Sequence, residues 1–198
     1  IQTSLVGSEM CIRDRIYPQI TLNIDIDSTR LIAKKVADRT VDIAIVGGDI
    51  PIDLKKDLEI ESFVEDELIL IIPKSHPFAR KKKKKVSKED LYHLNFITLN
   101  SNSTIHKFID NILIRNHIQT KQFNVIMELN SIEAIKTAVS LGLGAAFVSS
   151  SAIEKEIELK TVEIIAIENI KITRTLSIIT NTDSHRSKAF DLFYNQLW

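Results

Sequence analysis

In QITLNIDID, residues 19–27, Ile20, Leu22, Ile24 and Ile26 alternate with polar neighbours, the period of a half-buried strand. The period then changes to that of a helix. In STRLIAKKVADRT, Leu31, Ile32 and Val36 recur at helical spacing behind Ser28, an N-cap residue type, and VDIAIVGG reads as a continuous buried strand that ends in a glycine pair. Together these predict a β-α-β unit, and a right-handed crossover makes its two strands parallel neighbours. ELILIIP, after the loop at Pro51, reads as a second buried strand, and a polar stretch then leads to a short helix capped by Ser87. From there strands NFITL, FNVIMEL and GAAFVS alternate with helices STIHKFIDNILIRN, SIEAIKTAVSLG and SAIEKEIE. Strands TVEIIAIE and RTLSIIT follow, and the C-terminal helix sets Phe190, Phe193, Tyr194 and Leu197 on one face. Alternating βα units call for an α/β fold, a parallel sheet covered by helices on both sides.

Three of the predicted strand ends share a pattern of small hydroxyl and amide residues: DIDSTRL, LNSNSTIHK and ELNSIEAIK. Such residues cap the helix that follows by accepting hydrogen bonds from its free N–H groups, at about 1 kcal/mol each. They also stand at the carboxyl ends of strands, where open α/β sheets form their ligand crevices, and helix N-termini there favour an anion. Ser28, Thr29, Ser101, Ser103, Thr104, Asn130 and Ser131 are therefore candidate ligand contacts as well as caps. Catalytic patterns are missing. The GxG of LGLGAAF lies between a helix and a strand, the reverse of a dinucleotide fingerprint, and reads better as a helix C-cap at Gly142 with close packing at Gly144. His76, His93, His106, His117 and His185 have no metal-ligand spacing, and no cofactor or metal is implied. Asp66, between Glu65 and Glu67, reads as part of a solvated strand start.

Charge narrows the partners. The chain holds 26 basic and 26 acidic residues and has zero net charge, so it lacks the basic surplus of a domain that grips DNA unaided. Lys81 to Lys85 form a like-charge run that predicts a solvated loop. No apolar run is long enough to span a bilayer, and no membrane partner is expected. Cys11, the single cysteine, lies in SLVGSEMCIRDR, a stretch with no apolar period. Its LVGSEMCIRD resembles a translated sequencing-library adapter, so residues 1–15 are expected to be a scar outside the fold. A surplus of 33 Ile and 18 Lys over 8 Arg and 5 Gly suits an A/T-rich genome.

YPQITLNIDIDSTRLIAKKVADRTVDIAIVGGDIP, EDELILIIPKSHPFA and ELNSIEAIKTAVSLGLGAAFVSSSAIEKE resemble the effector-binding domain of LysR-type transcriptional regulators. ELNSIEAIK and EDLYHLNFITLNSNSTI are most similar to its branch of RuBisCO-operon regulators from cyanobacteria and algal plastids. The resemblance covers residues 16–198. It implies a two-lobed α/β fold of the periplasmic-binding-protein type 2 class, with lobe one at 16–61 plus 166–198 and lobe two at 62–165. It further implies a small anionic effector held between lobes, such as a phosphorylated sugar of carbon fixation or a nicotinamide nucleotide, and no enzymatic activity. Family members assemble as homo-oligomers and touch DNA through an N-terminal winged helix-turn-helix. Nothing before Tyr17 resembles that element or the first strand and helix of lobe one, so the chain reads as N-terminally truncated. The expected location is the stroma of an algal plastid, or a bacterial cytoplasm. A free-standing solute-binding protein or a two-lobed enzyme is the alternative, since a fold does not dictate a function.

Overall fold

The computed structural model describes residues 21, 23–80, 84–183, 187–195 and 197. The adapter-like stretch 1–15, Ile20, Leu22, Lys81–Lys83 and His185 lie outside the described residues. The chain divides into two compact units, one running up to Val64 and resuming at Thr175, the other Glu65–Arg174.

The first unit contains α1 (Thr29–Ala37), β1 (Ile43–Val46), the start of β2 (Leu58–Pro73), most of β8 (Ile172–Asn181) and α7 (Lys188–Tyr194). Ser28 starts α1 as read, its hydroxyl accepting from the Leu31 amide at 3.4 Å. Ile32, Ala33 and Val36 turn inward from α1 onto Val46, Ile50, Leu58 and Ile179. Each fully buried Ile, Leu or Val among these contributes about 1.5–3 kcal/mol. In α7, Ser187 caps the first turn and the Phe190 and Tyr194 rings stack at 5.6 Å.

Two expectations fail in this unit. Residues 21 and 23–27 form no strand, and Ile24 and Ile26 stand 57% and 71% exposed. Among the described residues β1 pairs only with β8, so the alternating segment has no ladder to join; isolated alternation gains neither hydrogen bonds nor an apolar surface to cover. The VDIAIVGG run, expected to be buried throughout, yields a four-residue strand in which Val46 alone is fully buried.

The second unit carries the rest of β2, then α2 (Pro77–Arg80), β3 (Lys85–Val86), α3 (Lys88–Leu91), β4 (Asn95–Leu99) and α4 (Thr104–Arg115). These are followed by β5 (Asn124–Leu129), α5 (Ile132–Ser140), β6 (Ala146–Ser149), α6 (Glu154–Glu158) and β7 (Val162–Ile167). β5 and β4 pair in parallel, Phe96 bridges Ala145 just before β6 in parallel, β6 and β7 flank β2 antiparallel, and β3 runs parallel to β7. The sheet is therefore mixed, not wholly parallel. Strand direction depends on which distant segment is the neighbour, and β2 enters between strands that run against it. Lys85, placed by its charge in a loop, is a strand residue for the same reason: β7 offers it a ladder.

Helices do cover both faces. On one, Phe96 packs with Ile109 and Leu113 of α4 and with Leu68, Leu70 and Ile72 of β2. On the other, Ile97 and Ile71 meet Ile135, Ala138 and Val139 of α5. Alternate residues of the same strands thus feed opposite cores. The α3 start has a full capping box, with Ser87 and Asp90 each bonding the other's backbone N–H.

Candidate functional site

β4 and β5 run side by side in the same direction, with Leu99 opposite Leu129, so their carboxyl ends lie together. The Asn100 amide donates to the Leu129 carbonyl at 3.0 Å and joins the two turns that follow. After Leu99 the chain tightens: the Asn102 amide donates to Asn100 Oδ1 at 2.9 Å and the Ser103 amide to the Asn100 carbonyl at 2.8 Å. α4 starts immediately afterwards. After Leu129 the shorter turn Asn130–Ser131 launches α5, whose Ala134 amide donates to Ser131 Oγ at 3.4 Å. The structure thus brings Ser101, Ser103, Thr104, Asn130 and Ser131 to one edge of one unit. Ser28 and Thr29 belong to the other unit, at the start of α1.

Capping accounts for these residues unequally. Ser28 and Ser131 spend their hydroxyls on their own helices. Ser103 stands at the N-cap of α4 in extended conformation, yet its hydroxyl takes no bond from the first turn. That twelve-residue helix therefore begins with N–H groups its cap leaves uncovered, and its positive end lies beside Ser101, Ser103 and Thr104. His106 fastens this turn to the strand, with Nδ1 2.7 Å from the Leu99 carbonyl and Nε2 3.4 Å from Asp110. Behind it is a cavity of about 40 Å³ lined by Phe96, Thr98, Ile105, His106 and Phe147, in which the buried Thr98 Oγ1 has no protein partner. The space suits a single water.

Sequence reasoning missed a polar cluster at the same sheet edge. Asp66 of β2 is buried, not solvated: Arg174 donates to its Oδ2 from Nε at 2.8 Å and Nη2 at 2.7 Å, and Ser149 donates to its Oδ1 at 2.5 Å. Ser149 Oγ lies 2.9 Å from Ser151 Oγ. Lys136, also buried, reaches from α5 to the Ala152 carbonyl at 2.7 Å and to Glu133 and Glu156 at 2.8 and 3.4 Å. A signal was present. Asp66 is in phase with the core residues Leu68, Leu70 and Ile72, and Arg174 with Ile172, Leu176 and Ile178. In the other unit, the chain before Ser28 is acidic: Lys35 Nζ lies 2.5 Å from Asp25 and 4.0 Å from Asp27. The hydrogen bond from Lys35 holds the Asp25 carboxyl below its ordinary value, and Asp25 in turn raises Lys35.

Among the described residues no group of His, Cys, Asp and Glu is arranged to hold a metal, and no helix is long and apolar enough to cross a membrane. What the edge can do is accept a small, multiply hydrogen-bonding ligand on hydroxyls, amides and backbone N–H groups.

The family model described as the LysR substrate binding domain matches residues 14–198. The "Probable RuBisCO transcriptional regulator" of Thalassiosira pseudonana is 87% identical over 182 residues, covering 92% of this chain and 59% of that protein. The protein of the same name from Porphyra purpurea is 51% identical over 181 residues, with coverages of 91% and 56%. The chain thus spans less than two thirds of the length of these relatives. Among solved structures, the regulatory domain of Synechocystis PCC6803 CcmR in complex with 2-PG superposes with a TM-score of 0.82 at 22% identity, over 98% of this chain and 89% of that one. The effector-binding domain of QuiR in complex with shikimate gives 0.75 at 17%, over 98% and 89%. These two likenesses establish the fold, the periplasmic-binding-protein-like fold of regulatory domains.

Proposed function

The chain belongs to the LysR substrate-binding domain family, and on that premise we propose that it senses a small anionic metabolite for a regulator of RuBisCO genes. The observation that carries the reading is the shared edge of β4 and β5, where the start of α4 is left uncovered by its own cap residue. Hydroxyls of Ser101, Ser103 and Thr104, the amide of Asn130 and the hydroxyl of Ser131 receive the anion there, and Ser28 and Thr29, at the start of α1, are proposed as effector-contacting residues of the first unit. The two units serve as the lobes of the sensor. Relatives carry the name of transcriptional regulators, so a solute-binding protein or an enzyme of this fold is not favoured.

The ligand class follows from chemistry: a phosphate or carboxylate matches donors at a helix N-terminus, and a phosphorylated sugar or a nicotinamide nucleotide carries such groups. The CcmR domain was solved with 2-PG, which makes that compound a reasonable first probe. A ligand that prefers one arrangement of the lobes shifts their equilibrium by its differential affinity. Contact with DNA, assembly into homo-oligomers and action in the plastid stroma are proposed for the full-length regulator, of which this chain supplies the sensing part.

Calorimetry with 2-PG, phosphorylated sugars and nicotinamide nucleotides tests the reading. Thr104→Ala removes one hydrogen bond to a charged group, worth about 1.5–3 kcal/mol, so affinity should fall roughly ten- to hundredfold with the melting temperature unchanged. Ser28→Ala should weaken binding in the same direction. If both variants bind as tightly as the unmodified chain, the ligand sits elsewhere.

A further inference from the structure

The chain passes between its two units twice, within β2 at Val64/Glu65 and within β8 at Arg174/Thr175. Asp66 follows the first crossing and Arg174 immediately precedes the second, so their ion pair stands on the second unit's side of both. The pair is secluded, with side chains 3% and 11% exposed. Asp66 uses both oxygens: Oδ2 takes two donors from Arg174 and Oδ1 takes the Ser149 hydroxyl. Ser149 ends β6 opposite Leu68 of β2 and is bonded in turn to Ser151, in the turn whose Ala152 carbonyl is gripped by Lys136. One carboxylate therefore links three chain segments: both crossing strands and the serine turn after β6.

A buried ion pair is a poor device for stability alone, because apolar residues of similar volume usually hold a core as well or better. Its particular property is directional. Two donors on one oxygen and a hydroxyl on the other fix β8, β2 and the serine turn in a single register, which an apolar contact would leave free to slide.

We propose that Asp66 and Arg174 are a positioning pair for the sensor: they lock the Ser149–Ser151 turn to both strands where these leave the second unit. A ligand seated on this sheet edge then acts on a turn that cannot shift without moving the crossings. The proposal rests on the sensing role above only for its ligand; the mechanical lock stands on the geometry of the pair.

The decisive variant is the double substitution Asp66→Leu with Arg174→Met, which removes both charges and keeps the volume filled. Its melting temperature should match or exceed that of the unmodified chain. Amide hydrogen exchange, measured without ligand, should nevertheless accelerate at least tenfold at residues 65–67, 149–151 and 173–175, with the cores under α4 and α5 unchanged. Exchange at those amides equal to the unmodified chain overturns the proposal. Should the double variant fail to fold, Arg174→Lys serves in its place: it keeps the charge but gives up the planar two-donor grip, and the same local acceleration is expected, with unchanged exchange counting against the lock. In the exchange-altered variants 2-PG affinity should fall at least tenfold, and affinity equal to the unmodified chain would overturn the coupling to ligand. Failure of the unmodified chain to bind 2-PG or any other anion tested speaks against the sensing role, while the exchange measurement still decides the lock.

Discussion

His76 accepts the Phe78 amide at Nδ1 (3.2 Å) and meets the Phe78 ring edge-on at 4.9 Å, so its neutral form is the one the fold holds. Partial burial lowers its pKa from the ordinary 6.5. With a folded value below the unfolded one, the unfolded chain binds more protons as pH falls. The stabilising contribution is therefore complete above 6.5 and is lost as pH drops through the folded value. Urea midpoints should hold steady from about pH 8 to 7 and decline below about 6.5, and His76→Gln should remove part of that decline. An identical decline in the variant would assign the pH dependence to other groups. The residue scale is also where sequence reading went most astray. The charge of Asp66 predicts a solvated position, although its strand phase puts it with Leu68 and Leu70 on the core side. The phase identifies the face; the partner that makes burial tolerable, Arg174, is 108 positions away and no local pattern names it.

At the scale of elements, what is local was legible. The helices start at Ser28, Ser87, Ser103 and Ser131 as their cap residues indicated, and α5 closes at Gly142 with φ at 89°. There the Gly142 amide donates to the Val139 carbonyl and the Leu143 amide to the Ala138 carbonyl, the paired bonds of a Schellman motif. Two residues on, a Cβ at Gly144 would sit 2.7 Å from the Asn95 carbonyl oxygen and 3.2 Å from Ile97 Cγ1. Gly144→Ala should therefore separate β4 from the segment entering β6 and cost about 1–3 kcal/mol, the range of overpacked sites. Chemical denaturation measures it directly; a loss under about 0.5 kcal/mol, the size of an ordinary surface change, would mean the backbone gives way easily. Strand direction was not legible, because β2 and β8 pair across stretches of chain longer than any repeating pattern. The alternation at residues 20–26 likewise specifies a face without supplying a neighbour to hold it.

On the scale of the whole molecule, the sequence carries part of what groups the candidate residues. Ser101 to Thr104 and Asn130–Ser131 share one pattern, and the parallel pairing of β4 with β5 is what converts that repeated pattern into one place. Ser149, Ser151 and Lys136 carry no such pattern; only their bonds tie them to this edge. Because the second unit is a single uninterrupted stretch, Glu65–Arg174, while the first is made of two pieces, the second has the architecture of a cassette spliced into a host. Its ends are fastened to each other through Asp66 and Arg174, as an insert needs if its host is to stay whole. A gene encoding residues 65–174 alone should accordingly give a cooperatively melting protein, and the same stretch spliced into a surface loop of an unrelated enzyme should leave that enzyme active. An excised fragment without a cooperative transition would show that the cassette needs its host to fold.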